Sequence, residues 1–196
     1  MKAKKEESKM SSFEQLVKVV LEKSESKKWE NAVKEWDLYD TDEDEDASSI
    51  CVCGKTGIRY LHKIKNNVNN KTIYPIGSCC IEKFKRADLN EKISVKEKLF
   101  KLYHAVEQNE YINLDTELFS RKLIKYLYNE GAFNSNDPNY PSEKSYSFFL
   151  DMFNKRNKED ITENQKRKIR AIMIKNIIPF VREQLAGKFI KKDKQK

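Results

Sequence analysis

Glycine and proline are scarce, with five Gly and four Pro in 196 residues. So few turn formers exclude an all-β fold built on many tight turns. Long apolar runs are missing too, and none approaches the roughly 18 consecutive apolar residues of a membrane span. Residues 1–10 contain no apolar stretch of the secretory-signal kind. The expectation is a soluble, cytoplasmic protein with a disordered, charged leader over residues 1–10. Histidine is limited to His62 and His104. With no Gly-rich phosphate loop, nucleophile elbow or HExxH segment, no catalytic constellation is recognisable.

What the chain has in abundance is charge: 36% charged residues and a formal net charge of +8. The charge is unevenly spread. Residues 37–46 hold seven acids, whereas residues 155–196 hold 14 Lys or Arg against five Asp or Glu. A basic end of this kind suggests contact with nucleic acid. Only seven of the 39 basic residues are Arg, so such contact would go to phosphates rather than to base edges.

Apolar periodicity places helices along most of the chain. Ser11 with Glu14 has capping-box spacing ahead of Phe13, Leu16, Val17 and Val20. Trp29, Ala32, Val33 and Trp36 fall on one face of a second helix, ended by the acidic run. Residues 58–65 alternate as a strand, 66–71 are turn chemistry, and 72–76 return. A short helix carrying Ile81 and Phe84 follows. Beyond residue 90 the spacing is helical again, with Ser94/Glu97 and Thr162/Gln165 as caps, Gly131 as a stop and Pro179 as a kink or break.

The fold class read from these patterns is α+β, mainly α-helical, with a small zinc-bound β-hairpin module between helical segments. The boundaries are a leader (1–10), N-terminal helices with an acidic linker (11–49), the hairpin module (50–89), a helical domain (90–187) and a basic tail (188–196).

All four cysteines lie within thirty residues: Cys51, Cys53, Cys79 and Cys80. Clustered thiols in a cytosolic chain favour a metal over disulfides. A closed tetrahedral Zn2+ site would stabilise a module too small for its own core. Cys51, Cys53 and Cys80 are the firm ligands, and the expectation is one structural Zn2+. The fourth ligand is open between Cys79, His62 and His104; pairing across the hairpin puts His62 roughly opposite Gly77, near the cysteines.

The segments Trp29-x-x-Ala32-x-x-Glu35-Trp36, Cys51-x-Cys53-Gly54 and Ile76-Gly77-Ser78-x-Cys80-Ile81-x-x-Phe84 resemble a family of uncharacterised small proteins. Its members are encoded by phages and mobile elements of low-GC Gram-positive bacteria. Similar CxCG…GSxC segments occur in some large DNA viruses. The resemblance covers residues 29–89. It implies a zinc site and a mobile-element setting, supplies no reaction, and favours Cys80 over Cys79 as a ligand.

The function expected from these residues is a zinc-stabilised, non-enzymatic nucleic-acid-binding accessory protein of a phage or mobile element. Lys166, Arg167, Lys168, Arg170, Lys191 and Lys192 would meet phosphates, and Tyr60 and Tyr74 could stack on bases. The alternative is a protein-binding inhibitor of a host defence or replication enzyme. In that reading the acidic run mimics phosphates or the aromatic helices occupy a groove. Neither reading involves a membrane.

Overall fold

A computed structural model describes residues 10–108, 112–134 and 141–190. The fold is α+β and mainly helical, with 53% of the chain in helices beside a four-stranded sheet and a two-stranded hairpin. No described helix is long and apolar enough to cross a membrane. The chain divides into two compact units: Ser94–Gly187, and the segments on either side of it, up to Ile93 and from Lys188 onward. Residues 1–9 of the expected leader (1–10) and residues 191–196 of the expected tail lie outside the described residues.

The first unit opens with helix α1 (Ser12–Lys23), which carries the expected capping box between Ser11 and Glu14. Its Leu16 and Val20 are buried. Helix α2 (Trp29–Ala32) is a single turn, followed by a 3-10 turn over Val33–Glu35. Trp36 does not continue that helix but begins strand β1 (Trp36–Asp44). Its ring is fully buried and its Nε1 donates to Ser24 Oγ at 2.8 Å. Trp29 packs edge-on against Phe13 and Phe84.

The acidic run is therefore a strand as far as Asp44 rather than a linker. A short hairpin, β2 (Ser49–Ile50) and β3 (Thr56–Ile58), follows β1; then come β4 (Tyr60–Asn66) and β5 (Thr72–Ile76). The main sheet has the order β5-β4-β1-β6, with β6 (Phe189–Ile190) parallel to β1 and the other pairs antiparallel. The start of the expected basic tail is thus a sheet edge. An acid-rich segment can pair here because cations lie across from it: Asp37 faces Lys65 and Asp40 faces Lys63 in the ladder. Lys92 Nζ reaches Asp37 Oδ1 at 2.7 Å, and Lys188 pairs with Asp40. Helix α3 (Ser78–Glu82) packs Ile81 into a core of Leu16, Trp36, Ile64, Ile73 and Ile76.

Helix α4 (Ala87–Glu107) begins seven residues before Ser94, which lies inside the helix and does not cap it. Leu89 and Ile93 are buried, so the earlier start is held by packing. The second unit contains the remainder of α4, then α5 (Arg121–Asn129), α6 (Ser142–Asn154), α7 (Glu163–Ile172) and α8 (Ile178–Gln184). Ser120 caps α5, and Gly131 follows it with φ +86°, a conformation that costs other residues a Cβ clash. Phe119, Phe133 and Phe149 meet edge-on at 5.6–5.7 Å in the core, beside Leu123 and Leu127.

Thr162 and Gln165 form the expected box on α7. Pro179 does not break the chain out of helix. A π-helical turn over Met173–Ile177 leads directly into α8 with Pro in its first turn. Proline lacks a donor and crowds the carbonyl four residues back, and the widened turn accommodates both effects.

Candidate metal centre

Cys51 and Cys53 sit in the tight connection between β2 and β3. Cys51 N–H donates to the Lys55 carbonyl at 2.9 Å, and Gly54 N–H donates to the Cys51 carbonyl at 2.8 Å. Gly54 adopts φ +84°, which only glycine takes without strain and which turns the chain back under the sulfurs. Val52 N–H donates to the Pro75 carbonyl at 3.0 Å, tying this knuckle to β5. Cys80 arrives from α3, whose N-cap is Gly77. A Cβ on Gly77 would stand 3.2 Å from Ile58 Cγ2, a tight contact that Ile58 would have to yield to by a few tenths of an ångström.

The three sulfurs of Cys51, Cys53 and Cys80 lie within 4.8 Å of one another. Cys51 Sγ and Cys80 Sγ are 3.6 Å apart, and Gly77 N–H donates to Cys51 Sγ at 3.4 Å. Cys51 and Cys53 are buried and Cys80 is half-buried. The hydrogen bond from Cys80 holds the Cys51 thiol well below its ordinary range, against the opposing effect of burial. Cys80 is pushed up by that same bond, by burial and by its sulfur neighbours. One thiolate is thus favoured without a cation, whereas three together need a positive charge among them. The cluster can hold a metal ion, and its sulfur donors suit a soft or borderline metal rather than a hard one.

The other ligand candidates do not join this group. Cys79 is exposed. Successive helical residues point about 100° apart, so with Cys80 turned toward the knuckle its neighbour faces outward. His62 is fully buried, with Nδ1 3.0 Å from Thr41 Oγ1 and Nε2 3.1 Å from Ser78 Oγ. Both ring nitrogens are therefore engaged by hydroxyls. In the ladder His62 faces Ile76 rather than Gly77, because the β4–β5 register shifts between His62 and Ile64. His104 lies on α4 in the second unit, its ring edge-on to Tyr103 at 5.9 Å.

Among the expected phosphate contacts, Lys166, Arg167 and Arg170 are exposed on α7. Lys166 Nζ pairs with Glu163 Oε1 at 2.8 Å. Lys168 instead lies over the Phe148 ring at 4.2 Å, away from those three. Lys191 and Lys192 are outside the described residues. Tyr60 is half-buried. The Tyr74 hydroxyl donates to Asp42 Oδ2 at 3.0 Å, and burial and then that carboxylate push it up to about 12.

Five of the seven acids at 37–46, Asp37, Asp40, Asp42, Glu43 and Asp44, are also partnered. Asp44 alone accepts from the Ser48 hydroxyl at 3.1 Å and the Ser49 hydroxyl at 2.6 Å, and Arg59 stands 3.7 Å from Glu43. One feature of the second unit escaped the sequence reading: a groove beside α7 into which Ile174 opens. The apolar excess Ile172-Met173-Ile174, which covers more than one helix face, is its trace in the sequence. No protein-family model, curated protein or solved structure matches this chain.

Proposed function

We propose that this chain is a zinc-stabilised, non-enzymatic nucleic-acid-binding accessory protein, with the mobile-element setting that its motif resemblance implies. Zinc is the metal best suited to a compact all-sulfur cluster that ties a hairpin to a helix, and in this reading its role is structural. The observation that carries the binding half is the exposure of Lys166, Arg167 and Arg170 on consecutive turns of one capped helix. Three cations so placed attract phosphates and release counterions on binding. The acidic run only weakly supports the rival reading as a phosphate mimic, because Asp37, Asp40, Asp42 and Asp44 are engaged by Lys92, Lys188, Tyr74 and the Ser48–Ser49 pair.

Anisotropy of labelled DNA and RNA oligonucleotides over a NaCl series tests the reading. Affinity is expected to fall steeply with salt. Arg167→Glu with Arg170→Glu should weaken binding and lower the salt slope by about two. A double variant that binds equally well with the same slope overturns the reading.

A further inference from the structure

The groove in the second unit has a volume of about 850 Å³. Its floor is aliphatic, formed by Leu114, Ile161, Ile169, Met173, Ile174 and Ile178. Ile174 is 58% exposed although α7 and the π turn already bury Ile172, Met173 and Ile177. The helix thus presents more apolar surface than its own packing uses. Isolated exposed side chains are ordinary, but a continuous aliphatic trough marks a binding surface.

Among the described residues the lining also holds four cations, Lys158, Lys166, Arg170 and Arg182, against one carboxylate, Asp115. Glu163 and Glu107 hold Lys166 and Arg182 from outside the lining. Lys158 Nζ donates to the Met152 and Phe153 carbonyls at 2.9 and 2.6 Å, and burial pushes its ammonium down despite Asp115 nearby. Lys166 and Arg170 are one turn apart, about 6 Å along the axis. That repeat matches carboxylates at i and i+4 on a facing helix, whereas a lone anionic head group would need only one such cation.

Among the described residues no aromatic ring lines the trough, and its floor is aliphatic rather than a platform on which a nucleobase would stack. Aliphatic side chains from an amphipathic helix fit such a floor. We propose that this groove is a docking site for an acidic amphipathic helix of a protein partner. Leu or Ile residues at i, i+3, i+4 and i+7 would fill the trough, and flanking Asp or Glu would meet the rim. The proposal goes beyond the nucleic-acid reading and does not rest on it.

The probe is a labelled synthetic helix of about four turns, with leucine on one face and glutamate on the other, titrated against the full chain by anisotropy. Saturable binding is expected, weakened at least tenfold by Ile174→Glu and clearly reduced by Ile174→Ser. Both substitutions are at an exposed position, and unchanged far-UV circular dichroism would confirm that the variants fold. Arg167→Glu lies outside the lining and should leave peptide affinity unchanged while lowering oligonucleotide affinity, so the two readings fail separately. Four outcomes would each overturn the proposal: no binding of the peptide, equal binding of a version with lysine for glutamate, indifference to both Ile174 variants, or stronger competition by an oligonucleotide or a fatty acid. A dimer in sedimentation equilibrium that Ile174→Glu dissociates would also overturn it, because a second copy would then be the occupant.

Discussion

Cys51 and Cys80, 29 positions apart in sequence, bring their sulfurs to 3.6 Å, with Cys53 completing a group within 4.8 Å. One knuckle and one helix turn thus converge on a single point. Zinc analysis of protein purified without chelator should give one metal per chain. Cys80→Ser should abolish tight binding, whereas the exposed Cys79→Ser should retain it. Loss of metal from both variants alike would make Cys79 a ligand.

The His62 ring spans the Thr41 and Ser78 hydroxyls, at 3.0 and 3.1 Å. His62→Phe should break both buried hydrogen bonds and lower stability by about 1–3 kcal/mol. The metal-to-protein ratio should not change. A ratio that drops to zero in folded His62→Phe would assign the imidazole to the metal.

Asp44 gives the sheet a pH dependence whose sign is fixed. The hydrogen bond from Ser49, and those from Ser48, hold its carboxyl below the ordinary 3.8 even though burial opposes them. A group lowered by folding contributes stability above its unfolded pKa and loses it as pH falls through the folded one. Ser49→Ala should therefore cost about 1.5–3 kcal/mol at neutral pH, with the gap to wild type narrowing below pH 3.8. Melting curves at several pH values check this, and a gap that widens in acid would contradict it.

Metal removal should affect the two units differently. Cys51 and Cys53 belong to the core that includes Trp36, Ile64 and Ile76, so a chelator should loosen the sheet. The second unit has its own core of Phe119, Leu123, Phe133 and Phe149. Most far-UV helical signal should survive while Trp36 fluorescence shifts toward that of an exposed indole. Complete loss of helix on chelation would mean a single cooperative unit.

The sequence by itself determined the features that depend on near neighbours. The boxes at Ser11/Glu14 and Thr162/Gln165 need only a hydroxyl and a longer acceptor three residues on, and both form. The return of β5 on β4 follows from alternation around an Asn-rich turn. Clustered thiols already indicated a metal, since few other roles gather them in a short segment.

Only the tertiary structure decided the rest, because those outcomes depend on partners distant in the chain. Residues 37–44 form a strand since Lys92 and Lys188 meet their charges and β4 supplies a ladder. Ser94 lost its cap when the burial of Leu89 and Ile93 extended α4 toward the N-terminus. Cys79 and Cys80 were equivalent in sequence until the direction of α3 turned one sulfur toward the knuckle and left the other exposed. The groove at Ile174 required the π turn that Pro179 follows, and its rim required Lys158 from a 3-10 turn (Lys158–Asp160) ahead of α7 together with Arg182 of α8. Local hydrogen bonding and periodicity act over a few residues, whereas burial and charge pairing act between any residues that packing brings together.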